Sequence, residues 1–304
     1  MDKKLEEKLA KIPLLNTLVD FGKKIILPGM EGLSLYDLIE IYIIGIVKGT
    51  FSARASAISW SFFLSLFPFL LFLLNLIPFI PIEEFDLLFY EFIDSSLPRQ
   101  SAIFFQNIYN DISSTPRGGL LSTAFVLSLL LMTNGVNAIF SGFSKSYYVT
   151  LNRSFIRQYI VALGVSLIVA SLLFITIIIT LYFSYLLENL KNRGMVQDTV
   201  ILLELGKYGF FILMIFLMVS TLFYYGTKEG RMQRFFSPGA FLTTFLIIIA
   251  TYLFGIYLDN FSNYNQLYGS IGAMLILMVY TWLNANLLLL GFELNASLTK
   301  LKNK

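Results

Sequence analysis

Three polar side chains interrupt an apolar run near the end of the sequence. The run YGSIGAMLILMVYTWLNANLLLLGFELNA, residues 268–296, is long enough for a membrane-spanning helix, and it carries Asn284, Asn286 and Glu293. Amide and carboxylate groups within a membrane are costly, and they face a bundle interior or a hydrated cavity. At 100° per residue, Asn286 and Glu293 share one helix face, whereas Asn284 lies on the opposite face. We therefore expect protein on both sides of this helix.

Glu293 could have either of two roles. It lies in the last turn of the run, where ionisation costs less than the roughly 2.5–3.5 kcal/mol estimated for a charge at the bilayer centre. The carboxylate could form a structural ion pair with Arg54 or with another base near the inner surface. Alternatively, it could couple a proton or a substrate to the movement of the helix. The sequence leaves both roles open.

Other small or polar residues recur at helical spacing in the apolar runs. In the first run they alternate by three and four residues and therefore share one face; in the second they collect near its end. Such residues either pack helices against each other or line a cavity. The candidate cavity residues from all three runs are Ser61, Ser65, Asn75, Asn134, Asn137, Asn286 and Glu293.

The composition excludes several kinds of chemistry. The chain has 304 residues, of which 57% are hydrophobic and 13% charged, and it contains neither His nor Cys. Thiolate and imidazole catalysis and zinc sites built from those ligands are therefore excluded. Carboxylate-bound magnesium or calcium stays open by composition, but we predict no catalytic residue, no cofactor and no metal site. A net charge of +3 is too small to indicate a nucleic-acid-binding protein.

The apolar runs predict an all-α, polytopic membrane protein. Six runs are long enough to span a bilayer of about 30 Å. They cover residues 57–80, 119–140, 159–187, 205–225, 238–258 and 270–292. The third run is long enough to tilt or to project beyond the membrane. We expect these runs to form one transmembrane domain over residues 57–296.

The positions of the basic residues predict the orientation. Of the 22 lysines and arginines, seventeen lie in the segments that would share one side of the membrane, and five lie on the other. Because Lys and Arg accumulate in cytoplasmic segments, both termini are predicted to be cytoplasmic.

Three segments are predicted to lie outside the bilayer. Residues 1–56 form a cytoplasmic or interfacial region, with amphipathic helices over residues 5–19 and 35–48. In residues 81–118, five acidic residues lie close together between Glu83 and Asp94, and apolar residues recur at helical spacing on both sides of Pro98. We expect two short helices that cap the extracytoplasmic surface. Residues 297–304 form a basic cytoplasmic tail.

Four segments resemble the YihY/BrkB family of bacterial inner-membrane proteins. They are ARASAISWSFFLSLFPFLLF (53–72), NGVNAIFSGFSKSYYV (134–149), FFSPGAFLTTF (235–245) and YGSIGAMLILMVYTWLNANLLLLGFELNA (268–296). The resemblance implies six spans, cytoplasmic termini and the bacterial cytoplasmic membrane. A ribonuclease BN activity was once attached to this family, but the absence of His and the scarcity of cytoplasmic acids argue against a metal-dependent nuclease here.

Two functions remain open at this stage. The first is transport or export of a lipid or another amphiphilic envelope substrate, in which case the candidate cavity residues should converge on one groove. The second is a non-catalytic protein that organises the envelope through interactions, in which case every polar group should be satisfied within a closed bundle. Membrane lipids are expected partners, nucleic acid is not, and a homo-oligomer is compatible with the sequence.

Overall fold

The computed structural model describes the long helices and a few shorter stretches of the chain. The described residues are 21–26, 34–37, 39–40, 50–76, 106, 110, 118–146, 153–192, 197–228, 230, 234–260 and 270–302. The predicted helix over residues 5–19 lies outside them, as does the predicted cap over residues 81–118, apart from isolated positions. Of the predicted segment 35–48, residues 35–37 and 39–40 are helical.

The described part of the chain is helical, and its one extended feature is an isolated bridge between Ile26 and Ser34. Six long helices follow one another along the chain. They are α1 (Thr50–Leu76), α2 (Gly118–Ser144), α3 (Phe155–Asn192), α4 (Gln197–Gly226), α5 (Pro238–Asn260) and α6 (Ser270–Lys302). The all-α prediction is confirmed for these residues.

Helix lengths follow from the apolar runs, but their ends differ from the predicted spans. α1 begins at Thr50, before the predicted start at residue 57, and α6 continues to Lys302, through the predicted tail. The extra turns carry buried side chains, among them Phe51, Arg54 and Asn295, so tertiary contacts extend each helix beyond its apolar run. α3 has 38 residues, which at 1.5 Å per residue is about 57 Å and exceeds the bilayer core.

Five helices are long and apolar enough to cross a membrane over their described side chains. The spans are Val126–Ser144, Phe155–Thr180, Leu203–Gly226, Pro238–Leu258 and Met274–Thr299, in α2 to α6. Large apolar side chains on these helices are exposed, including Leu127, Ile160 and Leu253, as expected of a surface that faces lipid. The side chains of α1 are described only as far as residue 66, and the count of six spans stays a prediction.

The helices form a ring in which α2 is the most enclosed member. Each helix packs against the next in the chain, and α6 returns to pack against α1. α2 also contacts α4 and α6 across the ring. Hydrogen bonds and an ion pair join the beginnings of α1, α3 and α5 to the ends of α2, α4 and α6. We call this side of the bundle the closed end, and the opposite side the far end.

Burial is concentrated at the closed end. The core there includes the fully buried Phe140, Phe143 and Leu289. In the far halves of α2 to α6, exposure is described for most of residues 126–131, 171–187, 201–213, 245–258 and 274–284. Among those whose exposure is described, only Ser128, Thr176 and Leu187 are buried, and the others are half-buried or exposed. Among the residues whose exposure is described, burial is therefore greater at the closed end than at the far end.

Candidate functional site

A buried ion pair joins the first and last helices at the closed end. Arg54 of α1 is 7% exposed and Glu293 of α6 is 5% exposed. The Nη2 atom of Arg54 lies 3.0 Å from Oε1 of Glu293. Removing two charges from water costs several kcal/mol each, and the cost is recovered only when further hydrogen bonds satisfy both groups.

Two further hydrogen bonds and one aromatic contact satisfy the charged groups of the ion pair. Nη1 of Arg54 donates to the carbonyl oxygen of Gly142 at 3.0 Å, and the hydroxyl of Ser146 donates to Oε2 of Glu293 at 2.6 Å. The guanidinium of Arg54 also lies 5.3 Å from the ring centre of Phe51, within the range of a cation–π contact. The network therefore connects α1, α6 and the end of α2, and it requires all three to be in register.

An aromatic cluster fills the space beside this network. The ring of Phe143 stacks on that of Phe292, with centres 4.0 Å apart, and meets the edge of Phe223 at 5.6 Å. These residues come from α2, α6 and α4. A Cβ atom on Gly226 would meet a ring atom of Phe143 at 2.9 Å, so the absence of a side chain there permits the cluster. The ion pair is itself shielded from water, since Arg54 and Glu293 are both buried, and its charges therefore interact more strongly.

Helices α5 and α6 cross closely on the opposite side of α6. A Cβ atom on Gly291 would lie on the hydroxyl of Thr243 and 2.7 Å from the carbonyl oxygen of Gly239. Asn295 completes the crossing by accepting a hydrogen bond from the Gly239 amide at 2.8 Å and donating one to the Ser237 hydroxyl at 2.8 Å. Asn295 thus satisfies one of the free amides at the beginning of α5.

The two amides of α2 contact α3. The Oδ1 atom of Asn137 accepts a hydrogen bond from Nε2 of Gln158 at 2.8 Å, and Oδ1 of Asn134 accepts one from the Tyr159 hydroxyl at 3.0 Å. Deeper along the same interface, the hydroxyls of Thr133 and Ser166 lie 3.1 Å apart. These contacts are of the kind that join helices in membranes.

The remaining candidate cavity residues lie elsewhere. Ser65 is buried and donates to the carbonyl oxygen of Phe62 in its own helix. Ser61 lies at the α1–α2 contact, where its carbonyl oxygen would be 3.7 Å from a Cβ atom on Gly135. Asn286 is half-buried and donates to the carbonyl oxygen of Trp282 in α6. The side chain of Asn75 lies outside the described ones.

The described candidates therefore occupy separate places, and the expected convergence on one groove is not seen among them. Glu293 lies in the α1–α2–α6 network, whereas Asn134 and Asn137 lie at the α2–α3 interface. Asn286 and Glu293 share a helix face, but different helices cover that face along α6. Glu293 contacts α1 and the segment at the end of α2, whereas Trp282, one turn before Asn286, has a side chain that is 39% exposed.

Several contact residues were not identified from the sequence. Ser146, Gln158 and Asn295 each provide a hydrogen bond that holds two helices together at the closed end. Hydropathy gives no signal for them, since they lie at the ends of apolar runs where polar residues are ordinary. Asn295 does share a helix face with Asn284, eleven residues earlier, and this spacing indicates a polar face that packs against protein.

The described residues offer no group that resembles a metal centre. No cluster of three or more His, Cys, Asp or Glu side chains occurs among them. The site is instead a buried ion pair between Arg54 and Glu293, which the carbonyl of Gly142 and the hydroxyl of Ser146 also contact.

Comparison with known proteins identifies the family. The family model described as virulence factor BrkB matches residues 45–304. The ribonuclease-like protein YfkH of Bacillus subtilis (strain 168) is 28% identical over 251 residues, which is 82% of this chain and 90% of that protein. No solved structure matches the chain.

Shorter matches join the chain to further bacterial membrane proteins. The UPF0761 membrane protein of Xanthomonas oryzae pv. oryzae (strain PXO99A) is 39% identical over 61 residues, or 20% of this chain and 14% of that protein. The UPF0761 membrane protein XAC0937 of Xanthomonas axonopodis pv. citri (strain 306) is 39% identical over 62 residues, or 20% and 15%. Since the family model covers most of the sequence and five helices can span a membrane, this chain is a multi-pass helical membrane protein of the virulence factor BrkB family.

Proposed function

We propose that this protein moves a lipid or another amphiphile across the bacterial cytoplasmic membrane. In this proposal the chain has six spans, both termini are cytoplasmic, and the closed end faces the cytoplasm. The excess of Lys and Arg in the segments that belong to the closed end supports this orientation. The proposed function requires no catalytic residue, because the substrate crosses the membrane unchanged.

The contrast between the two ends of the bundle carries the proposal. The closed end is joined by one buried ion pair between Arg54 and Glu293, whereas most described side chains of the far halves are half-buried or exposed. Helices that bury few side chains can move with little loss of contact. The charged network at the closed end has two distinct states, because it is either complete or broken. We therefore assign the Arg54–Glu293 pair the role of a gate.

A contact that only holds two helices together permanently does not require a buried ion pair. Apolar residues of similar volume often stabilise a protein as well as a buried pair or better. Charged groups, however, can exchange their partner for water or for a polar substrate headgroup when helices separate. The exchange of partners is useful for a contact that opens and closes, and it has no use in a contact that stays closed.

A reversible crosslink tests the proposal. The hydroxyls of Ser59 in α1 and Thr281 in α6 lie 2.8 Å apart, so cysteines at both positions are within reach of a disulfide. The chain contains no Cys of its own, and each single-cysteine variant is a matched control. The assay measures the rate at which a fluorescent short-chain phospholipid moves from one leaflet to the other in proteoliposomes that contain the protein.

We expect the wild type and both single variants to accelerate translocation over empty vesicles. Ser59→Cys/Thr281→Cys should lose that activity on oxidation and regain it on reduction. Translocation equal to that of empty vesicles for the wild type, or activity unchanged by complete crosslinking, would contradict the proposal.

A second candidate function is a non-catalytic protein that organises the envelope. It is favoured by the hydrogen bonds of Asn134, Asn137 and Glu293, each of which has a partner within the protein. This candidate predicts that no lipid is translocated and that the closed end stays intact whatever the membrane composition.

A further inference from the structure

A basic cavity lies at the closed end, between the beginning of α3 and the end of α4, apart from the Arg54–Glu293 network. Its volume is about 780 Å³. Three basic residues and three apolar residues account for nearly all of its lining: Arg153, Arg157 and Lys228, with Ile156, Ile160 and Val161. Among the described residues that line it, none carries a carboxylate.

Arg153 holds the two helix ends together. Its Nη1 atom donates to the carbonyl oxygen of Tyr225, and its Nη2 atom donates to that of Thr227 at 2.7 Å. These are carbonyls of the last turn of α4 and of the residue after it, which have no partner within the helix. Arg153 therefore shapes the cavity, and its positive charge is fixed beside it.

Arg157 and Lys228 are exposed, and within the described part of the chain neither forms an ion pair. Both are available to a ligand. A guanidinium binds two oxygens of a phosphate or carboxylate at once, and a lysine ammonium adds a compact positive charge. The chemistry of the polar wall is that of an anion site, with phosphate as the best match.

The apolar wall selects among anions. Ile156 is 72% exposed and Ile160 is 65% exposed, and both belong to the apolar span Phe155–Thr180 of α3. These side chains lie within one or two helical turns of Arg157. A free phosphate would leave this wall unused, whereas the acyl chain of a lipid would cover it while its headgroup reached the bases.

We propose that this cavity binds an anionic phospholipid from the membrane leaflet at the closed end. The lipid phosphate lies between Arg157 and Lys228, and the first carbons of an acyl chain lie on Ile156 and Ile160. The bound lipid would bridge α3 and α4 beside the contact that Arg153 makes. This inference goes beyond the proposed transport function and holds whether or not the protein moves lipid.

The test is native mass spectrometry of the full chain, purified free of lipid and titrated with phosphatidylglycerol or phosphatidylcholine. The test variant is Arg157→Gln/Lys228→Gln. The matched control is Lys145→Gln/Arg234→Gln, which removes two exposed charges from the same end but outside the cavity. We expect the Kd for phosphatidylglycerol to rise about tenfold or more in the test variant and to stay within about twofold in the control. Binding of phosphatidylcholine should be equal in all three proteins.

A third variant separates a lipid from a free anion. Ile160→Asn keeps the bases and removes part of the apolar wall, so it should weaken phosphatidylglycerol binding several-fold and leave the binding of inorganic phosphate unchanged. Equal phosphatidylglycerol binding by the wild type and Arg157→Gln/Lys228→Gln would overturn the proposal. Equal phosphatidylglycerol binding by the wild type and Ile160→Asn, with displacement by inorganic phosphate, would assign the cavity to a free anion and also overturn it.

Discussion

Arg54 and Glu293 are 239 positions apart in the sequence, and their charged atoms lie 3.0 Å apart in a site with little access to water. The contact links the beginning of α1 to the end of α6 and so closes the ring of helices. Because Gly142 of α2 supplies a carbonyl to one partner and Ser146, two residues after α2, supplies a hydroxyl to the other, the pair depends on three helices at once.

Removing one partner of the pair should cost more than removing both. Arg54→Met or Glu293→Met alone leaves one buried charge without its counterion, and we expect each to lower the free energy of unfolding by about 3–5 kcal/mol. In Arg54→Met/Glu293→Met no charge is left behind, so the loss should be well below the sum of the single losses. Denaturation in mixed micelles measures all four proteins, and strictly additive losses would mean that the two charges are not coupled.

Ser146 should matter through its single hydroxyl. Ser146→Ala removes the donor that lies 2.6 Å from Oε2 of Glu293, and a hydrogen bond to a buried charge is worth about 1.5–3 kcal/mol. Ser144→Ala removes a hydroxyl from the last residue of α2, two positions earlier, and it serves as the control with an expected loss under about 0.5 kcal/mol. Similar losses in the two variants would show that the bond to Glu293 adds nothing.

A methyl group should be harmful at one glycine and harmless at another. Gly291→Ala places a Cβ atom on the Thr243 hydroxyl and the backbone of Gly239, and such overpacking costs about 1–3 kcal/mol. Gly164→Ala in α3 meets nothing within 4 Å, and Ala is the better helix former by about 1 kcal/mol. We expect a lower thermal midpoint for the first variant and an equal or higher one for the second. A stable Gly291→Ala variant would contradict the close crossing of α5 and α6.

Asn295 should be replaceable only by a side chain that keeps its hydrogen bonds to Gly239 and Ser237. Asn295→Ala leaves the amide of Gly239 and the hydroxyl of Ser237 buried without this partner, at a cost of about 1–3 kcal/mol for an unsatisfied group. Asn284→Ala is the comparison, since the Asn284 amide donates back to the carbonyl of Tyr280 in its own helix and joins no second helix. If both substitutions gave the same small loss of unfolding free energy, the proposed cap of α5 would be unimportant.

The sequence predicts the helices well because the bilayer imposes a simple rule. Long apolar runs are needed to cross it, and each of the six predicted spans falls on one long helix of the structure, with residues 77–80 of the first span outside the described residues. The helix ends were less accurate. α1 begins earlier and α6 ends later than hydropathy predicts, because the turns that carry Arg54 and Asn295 are held by tertiary contacts rather than by lipid.

The site was harder to predict, because helical periodicity orders residues within one helix and says nothing about its neighbours. Ion pairing with Arg54 was one of two roles considered for Glu293, but no pattern pointed to the hydroxyl of Ser146 or the carbonyl of Gly142. Likewise, Asn286 shares a face with Glu293, yet one of these side chains is half-buried and the other is enclosed. Which side chains meet depends on the order of the helices around the ring.

The gate is tested most directly by measuring the distance between α1 and α6 at the closed end. The chain has no native Cys, so Ser52→Cys and Thr299→Cys can carry spin labels in an otherwise unlabelled protein held in a lipid nanodisc. We predict one short distance in the wild-type background and an added population at longer distance when Glu293→Gln weakens the pair. The same single distance in both backgrounds would show that Arg54 and Glu293 are a permanent tie between the helices and not a gate.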